Sequence, residues 1–253
     1  LGATACGPSP EGTAPPAGPS LVVMLVVDQL SADLLERYAP VYEGGLRRIL
    51  DGGFRFENAT HDHAGTVTAP GHTTLSTGVY PARHGIVANE WFERDGDQWR
   101  SVYSVAMPDA PILGYPDLEG MGPANIERPG LADWVVARDP RARVVSISKK
   151  ERSAIGLSAQ AIGHVYWLPE GEGQFVTSEA YMSSYPDWVR DFNRTQMPTL
   201  HGDTIWESIV PPALAELSRP DTSRWEFDRE DTTFPHRASD RVDLTDAHAL
   251  NEW

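Results

Sequence analysis

One unbroken apolar run and one shorter apolar stretch dominate the hydrophobic pattern of the chain and predict buried parallel strands. The first covers residues 21–27 and ends at Asp28. The second lies within residues 143–148 and is followed by basic residues. Runs without polar alternation are typical of strands that are buried on both faces. We therefore predict that the two strands are neighbours or near neighbours in one central sheet, with residues 164–168 as a candidate further strand.

Helical signals separate these strands. Ser31 can cap a helix that runs through Arg37, and glycine pairs enclose a second predicted helix at residues 46–50. A third helix is predicted at residues 131–138, and a fourth, interrupted by two prolines, within residues 204–217. Strands that alternate with helices indicate an α/β sheet with helices on both faces.

Two further stretches alternate between apolar and polar positions. Residues 54–58 are predicted as a short strand and residues 91–105 as a β-hairpin. Within the hairpin, Asp95-Gly96 is a strong signal for a two-residue turn. After Ser218 the sequence is polar and weakly patterned.

The composition argues against several classes of partner. The chain has 253 residues and a formal net charge of −15 at pH 7. An acidic chain without a run of lysine or arginine argues against a nucleic acid polymer as partner and against a basic patch for membrane surfaces. No apolar run approaches the roughly 20 residues that span a bilayer.

The N-terminal residues predict a flexible tether at residues 1–20. Residues 1–6 resemble the end of a bacterial lipoprotein signal, in which small residues precede a lipidated cysteine. Residues 7–20 are rich in proline, glycine and alanine, as a linker is. Lipidation of Cys6, the only cysteine, would attach the chain to a membrane in the periplasm or elsewhere outside the cytoplasm. The alternative is a cysteine without a role.

Residues 65–91 contain the strongest candidate for a reactive group. Thr68 is predicted at the mouth of a helix that Gly78 ends, and Pro81 with the residue before it should prevent the helix from restarting. Pro70 suits the first helical turn because its missing N–H would have no partner there. Unpaired N–H groups at a helix N-terminus attract an oxyanion, and a metal ion can make a threonine there a nucleophile. The alternative is that Thr68 only caps the helix.

An ordered set of eleven residues in this segment carries a family resemblance. They are Thr66, Thr68, Pro70, His72, Thr77, Gly78, Pro81, His84, Gly85, Ile86 and Asn89. The set resembles the nucleophile motif of the alkaline phosphatase superfamily. The similar branch contains threonine-dependent phosphatases and nucleotide pyrophosphatase/phosphodiesterases.

The resemblance implies a fold, a chemistry and a set of site residues. The fold is an α/β three-layer αβα sandwich of the alkaline phosphatase type, with residues 21–253 as the N-terminal part of the catalytic domain and the 91–105 hairpin as an insertion. Thr68 would be the nucleophile and form a phosphothreonine intermediate. Asp28 and Thr68 would bind one of two zinc ions, and Asn89 would donate to a phosphoryl oxygen. From the residues alone, Asp28 is also a candidate helix cap and Asn89 a candidate turn residue.

A basic element bears on the class of substrate. Lys150-Glu151-Arg152 resembles the K-x-R element of phosphate-irrepressible alkaline phosphatases in this superfamily. Two cations there would clamp the oxygens of a small phosphate monoester. Otherwise the two residues belong to a solvated loop. A nucleotide pyrophosphatase/phosphodiesterase and a non-catalytic phosphate-binding module stay open as alternatives.

The predicted site residues should meet at one edge of the sheet. Asp28, Thr68 and the basic pair each follow an apolar run or short strand. Ligands of open α/β sheets bind in the crevice at the carboxyl ends of the strands. We expect Asn89 at the same crevice.

The remaining metal ligands of the family have no counterpart in the sequence. They are an aspartate with a histidine four residues on, an adjacent Asp-His pair and a distant histidine. Asp246 and His248 have the wrong spacing. We therefore expect the chain to be a fragment that does not catalyse by itself.

Four histidines near the motif are interpreted as structural. His61 and His63 alternate and could share a zinc ion, but the family's ligands do not map there, so we interpret them as structural or exposed. The resemblance implies that His72 and His84 pack and form hydrogen bonds and take no part in chemistry.

Overall fold

The structure is a computed structural model that describes residues 19–169, 172–199, 205–208, 211–222 and 232–237. Cys6, most of the predicted tether, Asp246 and His248 lie outside the described residues. The chain divides into two units, Leu1–Gly53 and Phe54–Trp253, and each is described by itself. The described helices are α1 Ala32–Arg37, α2 Gly44–Gly52, α3 Thr68–Thr77, α4 Pro81–His84, α5 Leu131–Arg138, α6 Glu151–Ser158 and α7 Asp187–Thr195, with short 3₁₀ helices at Ala39–Val41, Met197–Thr199 and Pro212–Leu217. The described strands are β1 Glu90–Asp95, β2 Gln98–Tyr103, β3 Val145–Ile147, β4 His164–Tyr166, β5 Ile205–Trp206 and β6 His236–Arg237.

The first unit contains the two helices predicted for it. α1 follows Ser31, whose Oγ accepts a hydrogen bond from the Leu34 N–H at 3.2 Å, so the predicted N-cap is confirmed. α2 also forms, but it already begins at Gly44, earlier than predicted.

The apolar run at residues 21–27 does not form the predicted strand. Leu21 and Leu25 are 75% and 79% exposed, and none of the described strands pairs with the run. A strand exists only through hydrogen bonds to a neighbour. An apolar run indicates a need for burial but does not supply that neighbour. Residues 54–58 likewise form no strand: Glu57 and Asn58 lie in a turn, and all five residues are exposed.

β3, α6 and β4 form a β–α–β unit in which the two strands are adjacent and parallel. This is the alternation of strands and helices that the sequence predicted. β3 is shorter than predicted and only one of its faces is buried. The Ser146 hydroxyl donates to the Ala154 carbonyl of α6 at 2.7 Å, whereas Val145 and Ile147 are more than half exposed. The described residues form three two-stranded sheets where one central sheet was predicted, because strand pairing depends on which segments meet in space.

α3 and α6 pack side by side and run in the same direction. The Ser76 hydroxyl donates to the Gly156 carbonyl at 2.6 Å, and a Cβ at Gly156 would lie 3.0 Å from Thr73 Oγ1. The carboxyl ends of the two helices share Gly130 as a neighbour, because a Cβ there would lie 2.7 Å from Ala159 Cβ and 3.0 Å from the Ser76 carbonyl oxygen. Later residues of α3 therefore meet later residues of α6. The N-termini of the two helices consequently lie at the same end of the pair.

The segment after α3 confirms one prediction and corrects another. Gly78 ends the helix in the left-handed region, with φ 66°, and its N–H donates to the Thr74 carbonyl. Pro81, however, begins the short helix α4 and does not prevent a restart. Proline suits the first helical position because the N–H that it lacks would have no partner there.

The predicted hairpin is confirmed with a turn one residue later than expected. β1 and β2 are antiparallel, and Asp95 pairs with Gln98. The turn therefore consists of Gly96-Asp97, with Gly96 at φ 62°.

Two of the remaining predictions agree with the structure and one differs from it. α5 has the predicted bounds, and β4 begins at the predicted residue, His164. In residues 204–217, the described part contains β5 and the 3₁₀ helix Pro212–Leu217 instead of an α-helix.

A buried cluster in the second unit supports the segments around α3 and α6. It includes Ala69, Ile86, Val105, Ile112, Ile126, Ala154, Ile155, Ala159, Val165, Trp167, Val176 and Tyr181. Among the described residues, no helix is both long and apolar enough to cross a membrane.

Candidate active site

Thr68 is the first residue of α3. Val67 precedes it as the N-cap in an extended conformation, without a side-chain cap. The interpretation of Thr68 as a mere helix cap is therefore wrong, and its hydroxyl lies at the helix N-terminus without capping it.

Most N–H groups in the first turn of α3 already have acceptors. The Ala69 N–H donates to Asn89 Oδ1 at 2.8 Å, and the Gly71 N–H donates to the Val67 carbonyl at 2.9 Å. Pro70 has no N–H. The helix terminus therefore offers an oxyanion fewer donors than the sequence suggested, and the oxygens of a bound ester would depend on side chains.

Asn89 is fixed beside Thr68 through both its side chain and its backbone. Its Oδ1 accepts from the residue after Thr68, and its carbonyl accepts from the Ser104 N–H at 3.0 Å. Because Oδ1 faces the helix, the Nδ2 group of the same amide is directed elsewhere and can donate to a ligand. Asn89 and Thr68 are thus brought together as predicted from the motif.

The hairpin connects Asn89 to the basic element. Tyr103, the last residue of β2, pairs with Glu90, the residue after Asn89. The Tyr103 hydroxyl donates to Glu151 Oε1 and accepts from Arg152 Nη1. Neither Tyr103 nor Glu151 was predicted as a site residue. The only sequence signal was the position of Glu151 between the two predicted basic residues.

Lys150 and Arg152 lie at the N-terminus of α6 and not in a solvated loop. Lys150 is the N-cap residue, and Arg152 is the second residue of the helix. Both are half-buried. Arg152 Nη1 lies 2.9 Å from Glu151 Oε1, and its guanidinium lies 5.4 Å from the centre of the Tyr103 ring. Since α3 and α6 are parallel, this basic element lies at the same end of the pair as Thr68.

His72 and His84 hold the motif in place. His72 Nδ1 lies 2.8 Å from the Thr68 carbonyl oxygen. His84 Nδ1 accepts from the Ile86 N–H at 3.1 Å, which leaves Nε2–H to donate to Thr74 Oγ1 at 3.0 Å. Burial lowers the pKa of His84 to about 4, so the neutral imidazole is the form that the fold requires.

Asp28 belongs to the first unit, so its place beside Thr68 stays a prediction. It is exposed, and its Oδ1 accepts from the Gln29 N–H at 3.0 Å. Within the described residues, no group of three or more histidine, cysteine, aspartate or glutamate side chains could hold a metal ion. The described donor set therefore does not fit the two zinc ions that the resemblance implies.

The alternating histidines lie near α4. His61 is exposed and His63 is half-buried, with their ring centres 5.4 Å apart. Asp62 between them accepts hydrogen bonds from Tyr80 and Thr60.

Comparison with known proteins identifies the family. The model of the type I phosphodiesterase / nucleotide pyrophosphatase family matches residues 22–248. Alkaline phosphatase PhoV of Synechococcus elongatus is 34% identical over 87% of this chain and 41% of the relative. Alkaline phosphatase PafA of Elizabethkingia meningoseptica is 32% identical over 86% of this chain and 41% of the relative. The chain thus spans about two fifths of the length of these relatives.

Solved structures show the same likeness. The crystal structure of wild-type PafA matches with a TM-score of 0.72 and 30% identity, over 81% of this chain and 40% of that one. A PafA variant with four substitutions matches with a TM-score of 0.74 and 29% identity, over 83% of this chain and 42% of that one. The predicted α/β fold of the alkaline phosphatase type is confirmed over this part of the PafA fold. The chain therefore belongs to the type I phosphodiesterase / nucleotide pyrophosphatase family, within the alkaline phosphatase superfamily.

Proposed function

We propose that this chain carries the nucleophile and the phosphoryl-binding residues of a phosphate ester hydrolase. The observation that carries the proposal is Thr68 at the first position of α3, beside an Asn89 amide that the Ala69 N–H orients at 2.8 Å. A nucleophile with an oriented donor beside it is what phosphoryl transfer requires of a protein. Relatives that bear the name alkaline phosphatase support this class of reaction.

The proposed reaction has two steps. In the first, Thr68 Oγ1 bonds to phosphorus, the bond from phosphorus to the ester oxygen breaks, and the alcohol leaves with a proton while the threonine hydroxyl loses one. In the second, a water oxygen bonds to phosphorus and the bond to Oγ1 breaks. Inorganic phosphate and the free threonine hydroxyl are the products, and neither step oxidises or reduces any group.

The four substitutions of the PafA variant support these residue assignments. They replace a threonine by serine, and an asparagine, a lysine and an arginine by alanine, in that order along the chain. The intervals between these positions agree to within one residue with those between Thr68, Asn89, Lys150 and Arg152. We therefore propose for these four residues the roles that the family resemblance implies.

We propose phosphate monoesters as the substrates. A monoester dianion presents three non-bridging oxygens, and Asn89, Lys150 and Arg152 provide donors for them. A diester has one of these oxygens masked by its second alkyl group, so one part of the clamp would have no partner. A nucleotide pyrophosphatase/phosphodiesterase is the second candidate, because the family model covers that activity.

Zinc dependence is a separate proposal. Asp28 and Thr68 would contribute a carboxylate and a hydroxyl oxygen, and two ligands do not complete a tetrahedral zinc site. Since the described residues do not fit the ion, the reaction steps above rest on the side chains alone. Attachment to a membrane through a lipidated Cys6, outside the cytoplasm, is likewise proposed from the sequence.

Acid quenching during turnover tests the proposal. The whole protein is mixed with an aryl phosphate, quenched in acid and digested, and the peptide that contains Thr68 is analysed by mass spectrometry. We expect a phosphate on residue 68 in the wild type and in Thr68→Ser, and none in Thr68→Ala. A protein that binds phosphate but never carries it on residue 68 is the non-catalytic binding module, and the proposal is then wrong.

A further inference from the structure

The Arg152 guanidinium is held on one side by two neighbouring side chains. Its Nη1 donates to the Tyr103 hydroxyl and lies 2.9 Å from Glu151 Oε1. The Tyr103 hydroxyl in turn donates to the same Glu151 oxygen. The three groups form a closed triangle, and the Arg152 and Glu151 side chains are only 20% and 18% exposed.

At the other edge of the guanidinium, Nε has no partner within the described part of the chain. Arg152 Nε is buried and has no hydrogen bond to any described residue. Nε and Nη2 share the edge of the planar group that lies away from Nη1, and this edge can donate two parallel hydrogen bonds to adjacent oxygens. A buried donor without an acceptor destabilises the fold unless a ligand supplies the acceptor.

The Tyr103 hydroxyl is suited to link the two charged groups. It accepts from Arg152 and donates to Glu151, which requires the neutral phenol. Burial raises the pKa of Tyr103, and the Glu151 carboxylate raises it further, so the phenol keeps its proton. The ring also lies beneath the Arg152 guanidinium, 5.4 Å from its central carbon, which restricts where the cation can move.

We propose that Tyr103, supported by Glu151, is a positioning residue that turns the Nε and Nη2 edge of Arg152 toward two adjacent oxygens of a phosphate group. The inference rests on the proposed function, because it assigns the orientation of one member of the proposed clamp. It also names what the edge recognises. A monoester dianion offers three pairs of neighbouring oxygens that bear no ester group, whereas a diester offers one such pair.

Inorganic phosphate and the whole chain provide the test. Phosphate affinity is measured by calorimetry, and the Arg152 Nε–H signal is followed by NMR, for the wild type, Tyr103→Phe and Arg152→Ala. Tyr181→Phe is the matched control, because it removes a buried hydroxyl that lacks a partner among the described residues.

We expect phosphate to shift the Nε–H signal of the wild type and slow its exchange with water. Tyr103→Phe should weaken phosphate binding about 3- to 20-fold and lose that protection, since Arg152 loses the hydroxyl that positions it. Tyr181→Phe should match the wild type.

The outcomes separate the two proposals. If Arg152→Ala weakens binding but Tyr103→Phe behaves as the wild type in both affinity and Nε–H exchange, the positioning role is wrong and the clamp stands. If the wild type binds no phosphate, or Arg152→Ala binds as well as the wild type, the clamp itself is wrong. Thermal unfolding of each variant distinguishes a loss of binding from a loss of fold, and a Tyr103→Phe variant that melts like the wild type but binds weakly supports the inference.

Discussion

At the scale of single residues, the motif combines a reactive group with buried supports. His84 is fully buried and links Thr74 to Ile86 through its two ring nitrogens. The imidazole must be neutral to accept from the Ile86 N–H. A proton on Nδ1 would remove that acceptor and place a charge in an apolar cluster.

Because the folded chain requires a neutral His84 imidazole, the free energy of unfolding depends on pH. Its pKa is lowered from 6.5 to about 4, so between these values the unfolded chain binds a proton that the folded chain does not. The contribution of neutral His84 to the free energy of unfolding is therefore complete above pH 6.5. It declines as the pH falls toward 4, by up to about 3 kcal/mol in total. Urea unfolding of the wild type at pH 7.5 and pH 4.5 should show this loss.

Two variants isolate the effect of His84 from that of the many carboxylates. His84→Gln should be less stable at pH 7.5 and should lose less additional stability on acidification than the wild type. His61→Gln, at an exposed position, should retain the full acid dependence. Equal acid dependence in all three proteins would contradict the assignment to His84.

Lys150 and Arg152 are expected to set the preference for monoesters in the whole protein. Removing one charge-assisted hydrogen bond from the transition state should cost roughly 1.5–3 kcal/mol, about one to two decades in rate. Changing both residues to alanine should therefore depress hydrolysis of an aryl monoester steeply and leave hydrolysis of the matched diester almost unchanged. Thr68→Ala should abolish both activities, because both need the same nucleophile.

The control for this experiment is Arg143→Ala, which removes one exposed positive charge outside the predicted basic element. It should leave the ratio of monoester to diester rates unchanged. If the double alanine variant loses both activities in equal proportion, the basic pair does not set the substrate class, and the phosphodiesterase becomes the better assignment.

At the scale of elements, the parallel packing of α3 and α6 positions the candidate site. Thr68 begins one helix and Arg152 lies in the first turn of the other, and the helices approach closely because Gly156 has no side chain. The hydrogen bond from Ser76 to the Gly156 carbonyl fixes the alignment. The hairpin then connects the two N-termini through Tyr103.

A matched pair of glycine substitutions tests this packing. A Cβ at Gly156 would lie 3.0 Å from Thr73 Oγ1, tighter than ordinary van der Waals distance, whereas a Cβ at Gly71 of α3 would meet nothing within 4 Å. Gly71→Ala should raise the free energy of unfolding by up to about 1 kcal/mol, because alanine favours the helix. Gly156→Ala should be about 1–3 kcal/mol less stable than Gly71→Ala, because overpacking opposes the same gain. Chemical denaturation measures both, and equal effects would show that the two helices are not closely packed.

At the scale of the whole molecule, the chain corresponds to about two fifths of its curated relatives. It contains the predicted nucleophile and phosphoryl-binding residues, but the described residues hold no group of three metal-ligating side chains. The described part of the chain therefore contains no such site for a catalytic metal ion.

This leads to a prediction for the chain of 253 residues by itself. It should show no appreciable hydrolysis of an aryl phosphate when zinc is added, because two ligands do not hold a catalytic zinc ion. Phosphate binding should nevertheless persist, since the side-chain donors are present. Robust zinc-dependent turnover would contradict the expectation and direct attention to His61 and His63 as ligands.

The sequence by itself determined the features that depend on neighbouring residues. The start of α3 at Thr68, its end at Gly78 and the pairing of β1 with β2 follow from local backbone preferences and short-range hydrogen bonds. The family motif, which includes Asn89, was likewise readable from the order and spacing of its residues.

Only the tertiary structure decided the features that depend on distant segments. The apolar run at residues 21–27 looked like a buried strand, but none of the described strands pairs with it. The Asn89 side chain accepts a hydrogen bond from the Ala69 N–H. The Tyr103 hydroxyl accepts one from Arg152 although the two residues lie 49 positions apart in the chain. Such contacts arise because helices and strands bury particular faces against one another. A local pattern records which faces are apolar, but it does not record which partner each face will meet.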